Sequence, residues 1–245
     1  MTQGVPAIGI AAFAVDREGS RTLELASAPP VRAASVIKPL LAWVAATSHP
    51  LAEDLATWET YARPAVTTSD NSATAEIWSR GDGERLLATL NAHGDLGWRV
   101  EGHGEHPSLR VLVTAGELAH AYAAFAADAG DVARQVRQWM REVPPVQAFG
   151  LRGVARDVLA VDEGAVGVKC GWFGGERVHA VVIVESQGSL LGAAVTTNRP
   201  PGAGTSAIVR DAAGDDMRLA VLHDELVGDH IRMAVERALR AAGKL

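Results

Sequence analysis

The chain has 245 residues, of which 48% are hydrophobic and 21% charged, with a formal net charge of −6. That composition excludes a disordered or collagen-like chain and leaves one large folded domain or two small ones. An acidic surface repels phosphate backbones and anionic lipid, so neither nucleic acid nor a membrane is expected as a partner. The single cysteine, Cys170, has no intrachain disulfide partner, and no Cys/His spacing resembles a structural zinc site. The amino terminus shows no charged and apolar signal pattern, and no apolar run approaches about 18 residues. A soluble, cytoplasmic protein is the expectation.

In chain order, Ile8–Val15 and Arg21–Ala26 flank the turn signal Asp16-Arg17-Glu18-Gly19 and predict a β-hairpin. From Ser35 to about Ala46 the period becomes helical, with Val36, Leu40, Trp43 and Val44 three and four apart. Further helices are expected at 71–79, 84–92, 114–127 and 132–142, separated by breaks such as Arg80-Gly81-Asp82-Gly83 and Val143-Pro144-Pro145. Three strands follow, at 164–172, 177–185 and 189–197, joined by turns at Gly174-Gly175 and Gln187-Gly188. Residues 198–216 are rich in Gly, Pro, Ala and Asp and read as a long loop, a candidate lid or a disordered segment. A long amphipathic helix over 217–239 closes the chain. Trp43, Trp78 and Trp139 fall within helical stretches and are expected in the core.

This order implies an antiparallel five-stranded sheet built from both chain ends, with a helical domain inserted between them. The expected division is an α/β domain of residues 1–30 and 145–245 around an all-α domain of 31–144.

Three short motifs carry chemistry. Ser35-Val36-Ile37-Lys38 places a hydroxyl and an amine one helical turn apart, at a helix start where orphan N–H groups favour an anionic oxygen. The same residues also suit a helix cap with a surface lysine. Ser69-Asp70-Asn71 supplies a second hydroxyl, a carboxylate and an amide ahead of a helix, in a cluster that equally suits a cap. Lys169-Cys170-Gly171 sits in a strand beside Val166 and Val168, where a lysine must face a polar cleft or a carboxylate.

In this order the motifs resemble the Ser-x-x-Lys, Ser-Asp-Asn and Lys-Thr-Gly signatures of the serine β-lactamase and penicillin-binding-protein superfamily, closest in layout to class A β-lactamases. The resemblance covers nearly the whole chain and implies the β-lactamase/transpeptidase-like fold. It implies Ser35 as an acyl-forming nucleophile and Lys38 as its proton acceptor. Ser69 would pass a proton to the leaving group, and Lys169 would keep the cleft electropositive. Asn71 would hold Lys38 or a substrate amide, and the amides of Ser35 and Trp172, beside Gly171, would form an oxyanion hole. No metal and no organic cofactor is implied.

Several features depart from that family. Cys170 stands where relatives carry a hydroxyl that meets a substrate carboxylate, and a thiol donates weakly. Only 34 residues separate Ser35 from Ser69, an interval shorter than in class A enzymes. The loop acid that activates a deacylating water there has no Glu-x-x-Leu-Asn counterpart here; Glu101, following Arg99, is the candidate, with Glu105 beside it. His103 and His106 in the same Gly-rich loop offer no fixed metal geometry. His179, on the next strand, is a candidate to line the cleft where relatives carry cations, or a half-buried sheet residue.

The expected function is a serine hydrolase acting through an acyl-enzyme on a small amide, lactam or ester. The alternatives are an intracellular esterase, amidase or acyltransferase of specialised metabolism, and a non-catalytic binding protein that has lost deacylation. Neither the substrate nor the oligomeric state is legible.

Overall fold

The computed structural model describes residues 7–47, 54–101, 110–173, 177–198 and 216–245. Strands β1 (Ala7–Asp16) and β2 (Gly19–Ala26) form the expected hairpin, closing at the Asp16–Gly19 pair. Strands β5 (Val166–Phe173), β6 (Arg177–Ser186) and β7 (Ser189–Asn198) form an antiparallel meander, and β7 pairs with β1. The sheet order is therefore β2-β1-β7-β6-β5, with β5 at an edge. A chain that leaves the sheet after β2 and returns at β5 must bring its second half back beside its first residues, so both ends build one layer.

Strand alternation gives the sheet two apolar faces. Ala11, Phe13, Val181, Ile183 and Ala194 face the helices of the middle of the chain, while Ile10, Ala12, Val182, Val184, Ala193 and Val195 face the carboxyl-terminal helix. Phe13 lies flat over Gly192, where an added Cβ would stand 2.0 Å from its ring.

The first core surrounds helix α1 (Lys38–Thr47), which continues a 3₁₀ turn over Ala34–Ile37 and is buried on every side as far as Ala46. Such a helix belongs in the centre of a domain. Around it lie α2 (Leu55–Thr67), α3 (Asn71–Arg80), α4 (Gly83–Gly94), α5 (Ala115–Ala127) and α6 (Asp131–Arg141). Helix α5 starts on a capping box, Thr114 with Glu117. Trp43 and Trp139 are buried in this core, and Trp78 is half-buried across Gly83. Behind the sheet pack α7 (Leu151–Leu159) and α8 (Asp216–Ala242). Among the described residues no helix is long and apolar enough to cross a membrane.

Four elements escape the sequence pattern. Helix α2 contains Pro64, a residue that reads as a breaker but is tolerated one turn from the helix end. Helix α7 carries Gly153 and spans only nine residues. The two-residue strands β3 (Val31–Arg32) and β4 (Leu112–Val113) are too short for any periodicity to show. The expected loop over 198–216 lies outside the described residues except for its two ends.

Candidate active site

Edge strand β5 positions the site through its pleat. Its even residues, Val166, Val168 and Cys170, enter the core behind the sheet. Its odd residues face forward: Gly167 against Met140, Lys169 toward α2, and Gly171 against the 3₁₀ turn. Arg152 anchors the start of the strand by donating to Arg141 O and Val143 O at 2.7 Å and to Val166 O at 3.4 Å.

Gly171 is where strand and turn meet. A Cβ at Gly171 would stand 2.5 Å from Ser35 N and 3.0 Å from both Val36 N and Ala34 Cβ. No other side chain fits that approach. Ala34, just before Ser35, has φ +49, a left-handed conformation that costs a non-glycine residue about 1 kcal/mol or more. The N–H of Lys38 donates back to Ser35 O.

The direction of the Trp172 amide follows from the strand pairing. Across the sheet, Val178 sends both its backbone groups to the Thr197 hydroxyl at 2.9 Å, toward β7. Val178 stands opposite Trp172. A residue whose partner turns its hydrogen-bonding groups away occupies a non-hydrogen-bonded position, so the Trp172 N–H points off the free edge of β5, on the side of the Ser35 turn. Behind the sheet the Trp172 ring packs between Phe149 and His223, with centroids at 5.7 and 6.0 Å.

Lys38 is fully buried, and its chain carries the amine from α1 to the α2–α3 corner. Nζ donates to Ser69 O at 2.5 Å and Asn71 Oδ1 at 2.8 Å, with Ser69 Oγ and Asp70 O both at 3.4 Å. An amine inside a protein needs such oxygen partners to offset its lost hydration. The corner is built to present them. Pro64 O accepts from the N–H groups of Thr68 and Asp70, Asp70 caps α3 by accepting from Ala73 N at 2.8 Å, and Ser69 adopts φ +63 between them. Lys169, also buried, donates to Val66 O at 3.0 Å in the last turn of α2, where carbonyls carry the negative end of the helix dipole. Both amines therefore grip the same segment, residues 66–71, one on each side of Ser69.

The structure thus brings Ser35, Lys38, Ser69, Asn71, Lys169, Gly171 and Trp172 into one neighbourhood. Three other residues sit differently from the sequence expectation. Cys170 does not face the cleft: it is 2% exposed among Val168, Ala180 and Val182, and burial pushes its thiol up to about 12. Glu101 is exposed, and its carboxylate faces Arg99, whose Nε and Nη2 lie at 3.1 and 3.0 Å. Its backbone does run beside the site, through Glu101 N to Arg110 O, the Val100–Val111 bridge and Ala33 N to Val111 O. Glu105, His103 and His106 lie outside the described residues.

His179 is the third. It stands opposite Gly171 and is wholly buried, not open to a cleft. Thr197 N–H donates to its Nδ1 at 3.3 Å, so Nε2 carries the proton and donates to Arg32 O at 3.0 Å. Burial lowers its pKa to about 4, which leaves the ring neutral at pH 7 and unable to supply a cation. Its visible work is to tie β3, two residues before the site turn, to the sheet.

One residue near the turn gave no motif. Tyr122 of α5 is fully buried and donates its hydroxyl to Val36 O at 2.6 Å. The signal available was a lone phenol in an alanine-rich apolar helix, since a buried tyrosine hydroxyl must find an acceptor.

Comparison with solved structures places the fold. A β-lactamase from Streptosporangium roseum superposes with a TM-score of 0.58 at 19% identity, over 91% of this chain and 94% of that one. One from Sphaerobacter thermophilus gives 0.60 at 19% identity, over 97% and 93%. A variant of the last common ancestor of Gram-negative class A β-lactamases gives 0.61 at 18% identity, over 88% and 91%. No family model matches the chain, and no curated protein does. The chain has the serine β-lactamase fold, a mixed α/β architecture with a five-stranded antiparallel sheet.

The buried His179 makes stability depend on pH. Its folded-state pKa, about 4, lies below the ordinary 6.5, so the unfolded chain binds more protons between those values. The contribution is complete above pH 6.5 and is lost as pH falls through 4, on the order of 3 kcal/mol in all. Urea unfolding from pH 7.5 to 4 should show this slope, and His179→Gln should flatten it; an unchanged slope in the variant would assign it to other groups.

Proposed function

We propose that the protein is a serine hydrolase that forms an acyl-enzyme on Ser35, with an amide, lactam or ester as substrate. The observation that supports this reading is the seam between β5 and the 3₁₀ turn, where only a glycine at 171 fits beside the Ser35 and Val36 amides, with the buried Lys38 one helical turn along the chain from Ser35.

Each step has a residue suited to it. Lys38, whose Nζ is held by Ser69 O at 2.5 Å and Asn71 Oδ1 at 2.8 Å, is the group assigned to take the Ser35 proton in its amine form. Ser35 Oγ bonds to the carbonyl carbon as its proton passes to Lys38, and the carbonyl π pair moves onto oxygen. The N–H groups of Ser35 and Trp172 stabilise that oxyanion. When the tetrahedral carbon collapses, the bond to the leaving nitrogen or oxygen breaks. Ser69 Oγ gives the leaving group a proton and takes one from Lys38, 3.4 Å away, which restores the amine. Lys169 holds the last turn of α2 and adds a positive potential beside Ser69. Hydrolysis of the ester at Ser35 by water then releases the acid.

A second reading, a protein that is acylated and stays so, draws on the outward-facing Glu101. Its carboxylate is engaged by Arg99 at the surface. A long-lived acyl-enzyme follows if no other base activates the water.

Intact-protein mass spectrometry over time, after mixing with a chromogenic cephalosporin and a panel of p-nitrophenyl esters, tests both. A hydrolase shows product and a transient adduct on the Ser35 peptide; the second reading shows a persistent adduct. Ser35→Ala abolishes either, and no adduct and no product from the wild type would overturn the proposal. Gly171→Ala, whose methyl pushes on Ser35 N, should keep the fold by circular dichroism and lower the acylation rate about 100-fold, the effect of losing one oxyanion donor.

A further inference from the structure

The turn that carries Ser35 is held under load. Ala34 sits at φ +49, a conformation the backbone would leave if free to rotate. On one side, Gly171 bears on the amides of Ser35 and Val36. On the other, the Val36 carbonyl lacks the donor that a 3₁₀ turn would provide three residues on, because that residue is Pro39, which has no N–H.

Tyr122 reaches this carbonyl from across the core. Its hydroxyl donates to Val36 O at 2.6 Å from a wholly buried position, with the ring set edge-on to Phe125. Burial raises the pKa of the phenol well above its ordinary value, so it stays a donor at any working pH. The bond spans 86 residues of sequence and joins α5 to the carbonyl of the residue that follows the proposed nucleophile. Trp58 makes a similar bond further along the same helical run, from its indole N–H to Ala42 O at 2.8 Å.

We propose that Tyr122 is a positioning residue for Ser35: its hydroxyl holds the 3₁₀ turn against the strain at Ala34 and so keeps the Ser35 amide and Oγ aligned with β5. This role rests on the acyl-enzyme reading. Without the bond, the turn gains freedom to rotate away from Gly171, and the two amides that meet the oxyanion lose their fixed separation.

The test compares Tyr122→Phe with Trp58→Phe, each of which removes one buried donor to a main-chain carbonyl. Both variants should lose stability in urea. Only Tyr122→Phe should lower the acylation rate of Ser35, by about tenfold, with KM for the ester or cephalosporin unchanged. Trp58→Phe should acylate at the wild-type rate. If Tyr122→Phe does not fold, the Ala34→Gly/Tyr122→Phe double variant replaces it: glycine accepts φ +49 without steric cost but leaves the turn freer to rotate, so the hydroxyl is still needed and the double variant should acylate about tenfold more slowly than Ala34→Gly alone. Equal rates in Tyr122→Phe and Trp58→Phe, or in the double and single glycine variants, overturn the positioning role and leave the acyl-enzyme reading intact. No adduct on wild-type Ser35 defeats that reading and this role together.

Discussion

Everything at the site depends on how closely an edge strand can approach a helical turn. Between β5 and residues 34–37 the spacing leaves no room for a side chain, and Gly171 is the residue that permits it. In the proposed mechanism this approach sets the outward N–H of Trp172 beside that of Ser35. Two donors fixed before a substrate arrives would need no reorganisation as negative charge develops, the role proposed for these amides. The energetic burden falls on the surroundings: a strained Ala34, a strained Ser69 and two buried amines, each held by neighbours that give up other conformations to do so.

The two amines explain the shape of the α2–α3 corner. Lys38 and Lys169 come from different layers, one from the central helix and one from the sheet, and both end on residues 66–71. Neither can be left without oxygen partners at such burial. Folding the corner over them gathers main-chain carbonyls and the Asn71 amide, and this same step carries the Ser69 hydroxyl inward. Electrostatic satisfaction of buried lysines and assembly of the site are thus one event.

Much of this was legible in the sequence, for reasons particular to each part. The strands of the meander and the hairpin begin and end within about two residues of their turn signals, because glycine permits the positive φ that a tight turn needs, as Gly19 and Gly188 adopt. The first two motifs lie at helix starts and the third in the middle of an edge strand, so each is local to a single element. What failed was side-chain direction. Cys170 reads as cleft-facing by its place between Lys169 and Gly171, yet a strand pleat sends alternate residues to opposite faces, and only pairing with β6 decides which. His179 likewise follows the face of Gly171 but meets β3 before it meets solvent. Tyr122 lay outside any motif because its partner is a carbonyl 86 positions away.

The most direct test of the account is a crystal structure of the protein after reaction with a fluorophosphonate, whose phosphoryl oxygen stands where an oxyanion would. The account predicts phosphorus on Ser35 Oγ and that oxygen within about 2.7–3.1 Å of the backbone nitrogens of both Ser35 and Trp172. Phosphorus on another residue, or the oxygen turned to solvent away from Trp172, would contradict it.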